Sequence, residues 1–164
     1  PQNMLSLAAA SAAALETSCF CGAVRLRIVS AASPIATSIC HCSNCRRLSG
    51  APFLSNVILP ADALAVTSAD GAASPDLLEQ ATSKQVTRKR CAKCYAPVFA
   101  SLGKARVVVP SSLFASPHPE SWKPQHHLYY ASRTLDMKDD LPKYRANFGG
   151  ELWTGDDSKD GDGA

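Results

Sequence analysis

The sequence predicts a mainly β, single-domain zinc protein with a folded β-sheet and few short helices, and three features point to it. Apolar residues recur at every second position in short runs, the runs end at Pro, Gly or Asp, and the seven cysteines stand in close-set groups. A length of 164 residues with 46% hydrophobic content suits one domain with a real core. Aromatics are only 7%, so burial per residue is modest and metal ligation should carry an appreciable share of stability. The expected division is an N-terminal arm over 1–17, a zinc domain over 18–150 and an acidic, disordered tail over 151–164.

Taken in order, Pro1-Gln2-Asn3 precedes Met4 and reads as a remnant ahead of the native start. Leu5 to Leu15 is Ala-rich and apolar. It lacks the preceding basic residues of a signal peptide, so a short helix or loose arm is expected. Val24, Leu26 and Ile28 alternate with Arg25 and Arg27, the pattern of a half-buried strand, broken at Ser33-Pro34. Ile35 to Ile39 should be a short strand that delivers Cys40, and Cys42 to Leu48 a helical turn whose first amides point at a metal. Phe53 to Leu59 and Leu64 to Thr67 are strands ended by Pro60 and Asp70-Gly71. Leu77 to Ala81 reads either as strand or as one helical turn. Gln85 to Arg90, Val98 to Ala100 and Val107 to Val109 complete the middle of the chain. Pro110, Pro117, Pro119 and Pro124 punctuate a segment that can be neither continuous helix nor central strand and should wrap over the scaffold. His127 to Tyr130 is the last expected strand, and Ser132-Arg133 and Asp139 to Pro142 follow in loops.

Within Cys40-His41-Cys42-Ser43-Asn44-Cys45-Arg46-Arg47, three thiols lie inside six residues. They cannot all pair as disulfides but can converge on one soft dication, leaving a fourth tetrahedral position open. Cys19-Phe20-Cys21-Gly22 and Cys91-Ala92-Lys93-Cys94 add two further pairs. A closed four-cysteine site and an open three-cysteine site use all seven, whereas an odd count fits a disulfide framework poorly. Spacing alone leaves the grouping open. Cys19 and Cys21 could join Cys40 and Cys42, leaving Cys45, Cys91 and Cys94, at the expense of breaking up the triplet.

These groups, with Asp140-Leu141-Pro142-Lys143-Tyr144, resemble the glutathione-dependent formaldehyde-activating enzyme family, whose domain is shared with centromere protein V. The resemblance runs over most of the chain. It implies that Cys19, Cys21, Cys91 and Cys94 hold a structural zinc and that Cys40, Cys42 and Cys45 hold a catalytic one. It further implies carbon-sulfur lyase chemistry on adducts of glutathione, the co-substrate, or of another thiol. A non-catalytic binding module of the centromere protein V type is the alternative. Two departures stand out: Tyr95 occupies a position usually Gly, and Leu135 to Met137 lack a usual Trp.

Arg46, Arg47 and Arg133 are the candidates for binding a thiol substrate's carboxylates, because a guanidinium fork takes a carboxylate bidentately. His41, between two ligands, is expected to point outward or to support the site from behind. His126 and His127 are surface histidines beside a strand or, less expectedly, completers of the open site. Lys84, Arg88, Lys89 and Arg90 read as the solvated face of an edge strand rather than a nucleic-acid patch. The net charge is +3, and the tail from Gly155, with four Asp and one Lys, leaves +6 on the remainder, a balance that suits anionic small molecules. The expected partner is therefore a small-molecule thiol or thiol adduct, with neither membrane nor nucleic acid. No stretch reaches the roughly 18 apolar residues of a membrane helix. Unpaired thiols point to the cytosol, with the nucleus as the alternative.

Overall fold

The structure is a computed structural model that describes residues 14–28 and 33–155. The expectations for the Ala-rich run up to residue 13 and for the tail from residue 156 lie outside the described residues. In chain order the strands are β1 (Leu15–Ser18), β2 (Val24–Ile28), β3 (Ala36–Cys40), β4 (Leu54–Pro60), β5 (Leu64–Ser68), β6 (Leu77–Ala81), β7 (Val86–Cys91), β8 (Pro97–Leu102), β9 (Arg106–Pro110) and β10 (His127–Leu128). One helix, α1 (Ser43–Ser49), sits between β3 and β4. Two sheets result, one ordered β1-β2-β5 and one ordered β10-β3-β4-β9-β8-β7-β6. All pairings are antiparallel except β10 with β3.

The alternation in β2 does what the sequence predicts, burying Val24, Leu26 and Ile28 and leaving Arg25 and Arg27 exposed. The three buried side chains join Val57, Leu59, Val98, Val107 and Val109 of the larger sheet in one apolar cluster. Each such side chain is worth about 1.5–3 kcal/mol when fully buried. That cluster is the common core of the two sheets.

Leu77 to Ala81, ambiguous in the sequence, is a strand, paired along its length with β7. Its presence corrects the reading of β7. With β6 on one side and β8 on the other, β7 is interior, and its basic residues are partly covered rather than a solvated edge. Lys89 pairs with Glu79 of β6.

The proline segment wraps as expected, through single 3-10 turns at Ser111–Leu113 and Glu120–Trp122. Phe114 and Trp122 pack edge to face, with ring centroids 5.0 Å apart, and Thr37 Oγ1 donates to the Lys123 carbonyl at 2.7 Å. The last strand is shorter than expected. Pairing stops after Leu128 because Tyr129 takes a left-handed conformation (φ 53°) and turns Tyr130 into the interior. The described parts of both outer segments are paired, Leu15–Ser18 with β2 and Leu152 with Tyr144.

Candidate metal centre

Cys19 and Cys21 lie on the turn from β1 to β2, and Cys91 and Cys94 on the turn from β7 to β8. The fold brings these turns together, so that the four sulfurs lie within 4.8 Å of one another. Cys19 Sγ to Cys21 Sγ is 3.7 Å and Cys21 Sγ to Cys91 Sγ is 3.8 Å. These spacings are far beyond a disulfide bond, and they match the sulfur-sulfur edge of about 3.8 Å of a tetrahedron with metal-sulfur bonds of ~2.3 Å. The first turn is closed by Gly22 at φ 76°, whose N–H meets the Cys19 carbonyl at 2.9 Å. The second adopts the same hand at Tyr95 (φ 60°), a conformation that glycine takes without penalty. The Ala96 amide is the first cause holding the Cys94 thiol down to about 6.

Cys40 ends β3, and Cys42 caps α1, its sulfur accepting from the Cys45 amide at 3.4 Å. Residues 42 and 45 are three apart and share a helix face, so all three sulfurs again fall within 4.8 Å. Both clusters can hold a metal ion, and the alternative grouping with Cys19 and Cys21 beside Cys40 is not the one the fold makes. The donor set suits a cation. Hydrogen bonds from the Cys40 and Cys42 thiols, followed by the charge of Arg88, drive the Cys45 thiol far below its ordinary value, while sharing those same bonds and burial push Cys40 well above it. Three thiols so close cannot all ionise unless a positive ion joins them.

Behind this cluster a chain of polar groups runs from the interior to the surface. His41 is fully buried, not outward, and its Nε2 is 2.9 Å from Nδ1 of His127. His127 Nε2 in turn lies 3.0 Å from Asp139 Oδ2, and Lys143 Nζ donates to Asp139 Oδ1 at 2.7 Å. Burial lowers His41 to about 4 and lowers His127 as well, which favours the neutral form of both rings. The carboxylate can only accept, which makes His127 Nε2 a donor, His127 Nδ1 an acceptor and His41 Nε2 a donor. Tyr130 stands edge-on to both rings, 5.1 and 5.3 Å away. The backing role expected for His41 therefore holds, whereas neither His126 nor His127 belongs to the thiol cluster. Asp139 was marked by nothing beyond a loop position in the sequence, and Lys143 only by its place in the Asp140 to Tyr144 element of the family resemblance.

In front of the cluster is a cavity of about 270 Å³, with Cys40, Cys42 and Cys45 in its wall. This lies just below the ~300–1,000 Å³ of small-molecule sites. The arginines expected there are elsewhere. Arg47 follows Cys45 around α1 by roughly 200° and leaves the ligand face, whereas Arg46, four residues after Cys42 and so on its side of the helix, is held by a backbone contact instead. Arg46 Nε donates to the His41 carbonyl at 2.9 Å, and Arg47 is exposed. Arg133 pairs with Asp136 and lies over the rings of Tyr130 and Trp153, at 4.8 and 4.2 Å. None of the three lines the cavity; the cation that does is Arg88 of β7. Its alternation with Val86, also on the cavity wall, was the available signal. Tyr95 and Leu135 to Met137 are likewise off the cavity.

Among the described residues, two sheets around a shared core and two thiol clusters that could hold metal ions, one of them opening on a cleft, define a mainly β protein whose donor groups suit zinc. The chain belongs to the glutathione-dependent formaldehyde-activating enzyme family, which it matches over residues 14–132. No curated protein matches it. A crystal structure of a Rhodobacter sphaeroides protein is 18% identical, with 66% of this chain and 95% of that chain covered at a TM-score of 0.49, a likeness that carries no argument. Among the described residues, no helix is long and apolar enough to cross a membrane.

Proposed function

We propose that this protein is a zinc-dependent, carbon-sulfur lyase-type enzyme that makes or breaks a bond between glutathione, or another thiol, and a carbonyl-derived carbon. The observation that carries the reading is that Cys40, Cys42 and Cys45 stop one ligand short of a tetrahedron and face a cavity. Zinc held there supplies a soft Lewis-acid position suited to sulfur. Three thiolates outweigh the ion's two charges, which favours handling a thiol over generating hydroxide.

The walls supply the rest. Ile58, Val86, Leu102 and Leu128 present apolar surface that limits water around the reacting carbon, while Asn44, Thr82 and Ser83 offer neutral hydrogen-bonding groups. Burial, then the charges of Cys40 and Cys42, pushes the Tyr129 phenol up, so Tyr129 Oη keeps its proton; it donates to Asn147 Oδ1 at 2.8 Å. Rotated away from Asn147, that hydroxyl would donate to the oxygen of a carbonyl-derived group. In the forming direction the carbon-sulfur bond closes as the thiol's proton passes to that oxygen, and cleavage returns it. The volume of the cavity supports an electrophile bulkier than formaldehyde. Seven free thiols support a reducing compartment, the cytosol or alternatively the nucleus, and a small-molecule thiol as the partner.

The test is elemental analysis of freshly purified protein, combined with exchange of formaldehyde and larger aldehydes with glutathione followed by NMR. We expect two zinc ions per chain and accelerated exchange that C42S and C45S abolish. Zinc without turnover of any thiol adduct would leave a zinc-stabilised binding module, and absence of zinc would sink both readings.

A further inference from the structure

Arg88 is the cation on the cavity wall among the described residues, and no carboxylate lines that wall beside it. Its Nη2 lies 3.5 Å from Cys45 Sγ, while its Nε is buried and has no hydrogen-bond partner. A buried donor on a charged group is costly when unpaired, because it has given up water and gained nothing. The neighbouring wall groups leave that need unmet. Val86 and Ala100 are apolar, and Asn56, Thr82 and Ser83 are neutral. No carboxylate of the wall faces the guanidinium, and a guanidinium that lines a cavity fits a carboxylate better than any neutral group.

We propose that Arg88 binds the carboxylate of the substrate thiol, so that the cavity selects carboxylate-bearing thiols and their adducts over neutral ones. The inference rests on the thiol-adduct reading above and sharpens it. Arg88 touches Cys45, so a carboxylate paired with it lies beside the thiol cluster, and the acid group is carried only a short way along the chain from the sulfur. Short mercapto-carboxylates are thus the substrate class the wall is built for. Arg46, Arg47 and Arg133, lying off the cavity, contribute nothing to this choice.

Calorimetry of zinc-loaded wild-type protein and of R88M and R88K, titrated with 3-mercaptopropionate and with mercaptoethanol, tests the proposal. Zinc content is measured on each sample. Wild type should prefer 3-mercaptopropionate by about tenfold or more, as expected for a hydrogen-bonded charge pair, and lose the preference as salt is raised. R88M should lose the preference for 3-mercaptopropionate over mercaptoethanol, and R88K should keep a reduced preference. If R88M does not fold, R88K and the salt dependence of the wild-type preference decide the matter. Equal affinity of wild type for the two thiols would overturn the role of Arg88 while leaving thiol chemistry intact. So would an R88M that weakens both thiols equally and sheds zinc, since Arg88 would then serve Cys45 alone. Failure of either thiol to bind any zinc-loaded sample would overturn the thiol reading itself, and this inference with it.

Discussion

The two thiol clusters use the same chemistry for different ends, and the difference lies in what each one ties together. The closed cluster joins a turn of the three-stranded sheet to a turn of the seven-stranded sheet, with Cys21 and Cys91 meeting across 70 residues of chain. The open cluster spans residues 40 to 45, the end of β3 and the first turn of α1. A metal that closes a long loop and clamps two sheets removes a large amount of chain freedom, whereas one held by six consecutive residues removes little. The closed site is therefore expected to act on folding and the open one on chemistry. Their surroundings agree, because among the described residues all three thiols of the open cluster line one cavity with an arginine on its wall, whereas of the closed cluster Cys91 alone borders a cavity.

The sharpest way to break this contrast is to remove one ligand from each cluster. C91S or C94S should lose most of a structural metal's contribution, up to about 10 kcal/mol, and unfold. C42S or C45S should stay folded with one metal fewer. Circular dichroism and metal content on all four variants are the check, and equal unfolding would make the triplet structural. Next in size is lability: graded chelation should strip the three-ligand site well before the four-ligand site, giving two separate steps of zinc release rather than one.

Smaller effects sharpen the contrast. D139A leaves the buried His127 Nε2–H facing partial solvent, at a cost of about 1–2 kcal/mol, and should loosen metal in the open cluster only. The same chain sets a pH dependence. Burial holds His126 and His127 below their unfolded value of ~6.5, so the unfolded chain binds more protons than the folded one; stability should decline as pH falls below ~6.5. Urea midpoints measured from pH 8 to pH 5 will show it. At the closed cluster, Y95G relieves a left-handed residue whose ring is 63% exposed. The relief of ~1–2 kcal/mol is largely offset by glycine's extra freedom when unfolded, so a gain of under about 1 kcal/mol is expected in thermal melts, with both metals retained.

Much of this protein was legible from local spacing. Alternation at Val24, Leu26 and Ile28 marks a strand with one buried face, and Cys42 and Cys45, three apart at a helix start, must share a face whatever surrounds them. Thiols in such groups call for a soft metal, and their odd number argues against disulfides. The tertiary structure alone decided which groups meet. Strand period tells which side of β7 Arg88 occupies but not that Cys45 lies across from it, because that depends on the order of seven strands. The polarity of Lys89 and Arg90 suggested an edge, yet β6 covers it. Two of the expected arginines failed for local reasons, since helical rotation carries Arg47 off the ligand face and the His41 carbonyl holds Arg46. The chain from His41 through His127 to Asp139 depends on parallel pairing of β10 with β3, a contact between residues some ninety apart in sequence that no short-range pattern encodes.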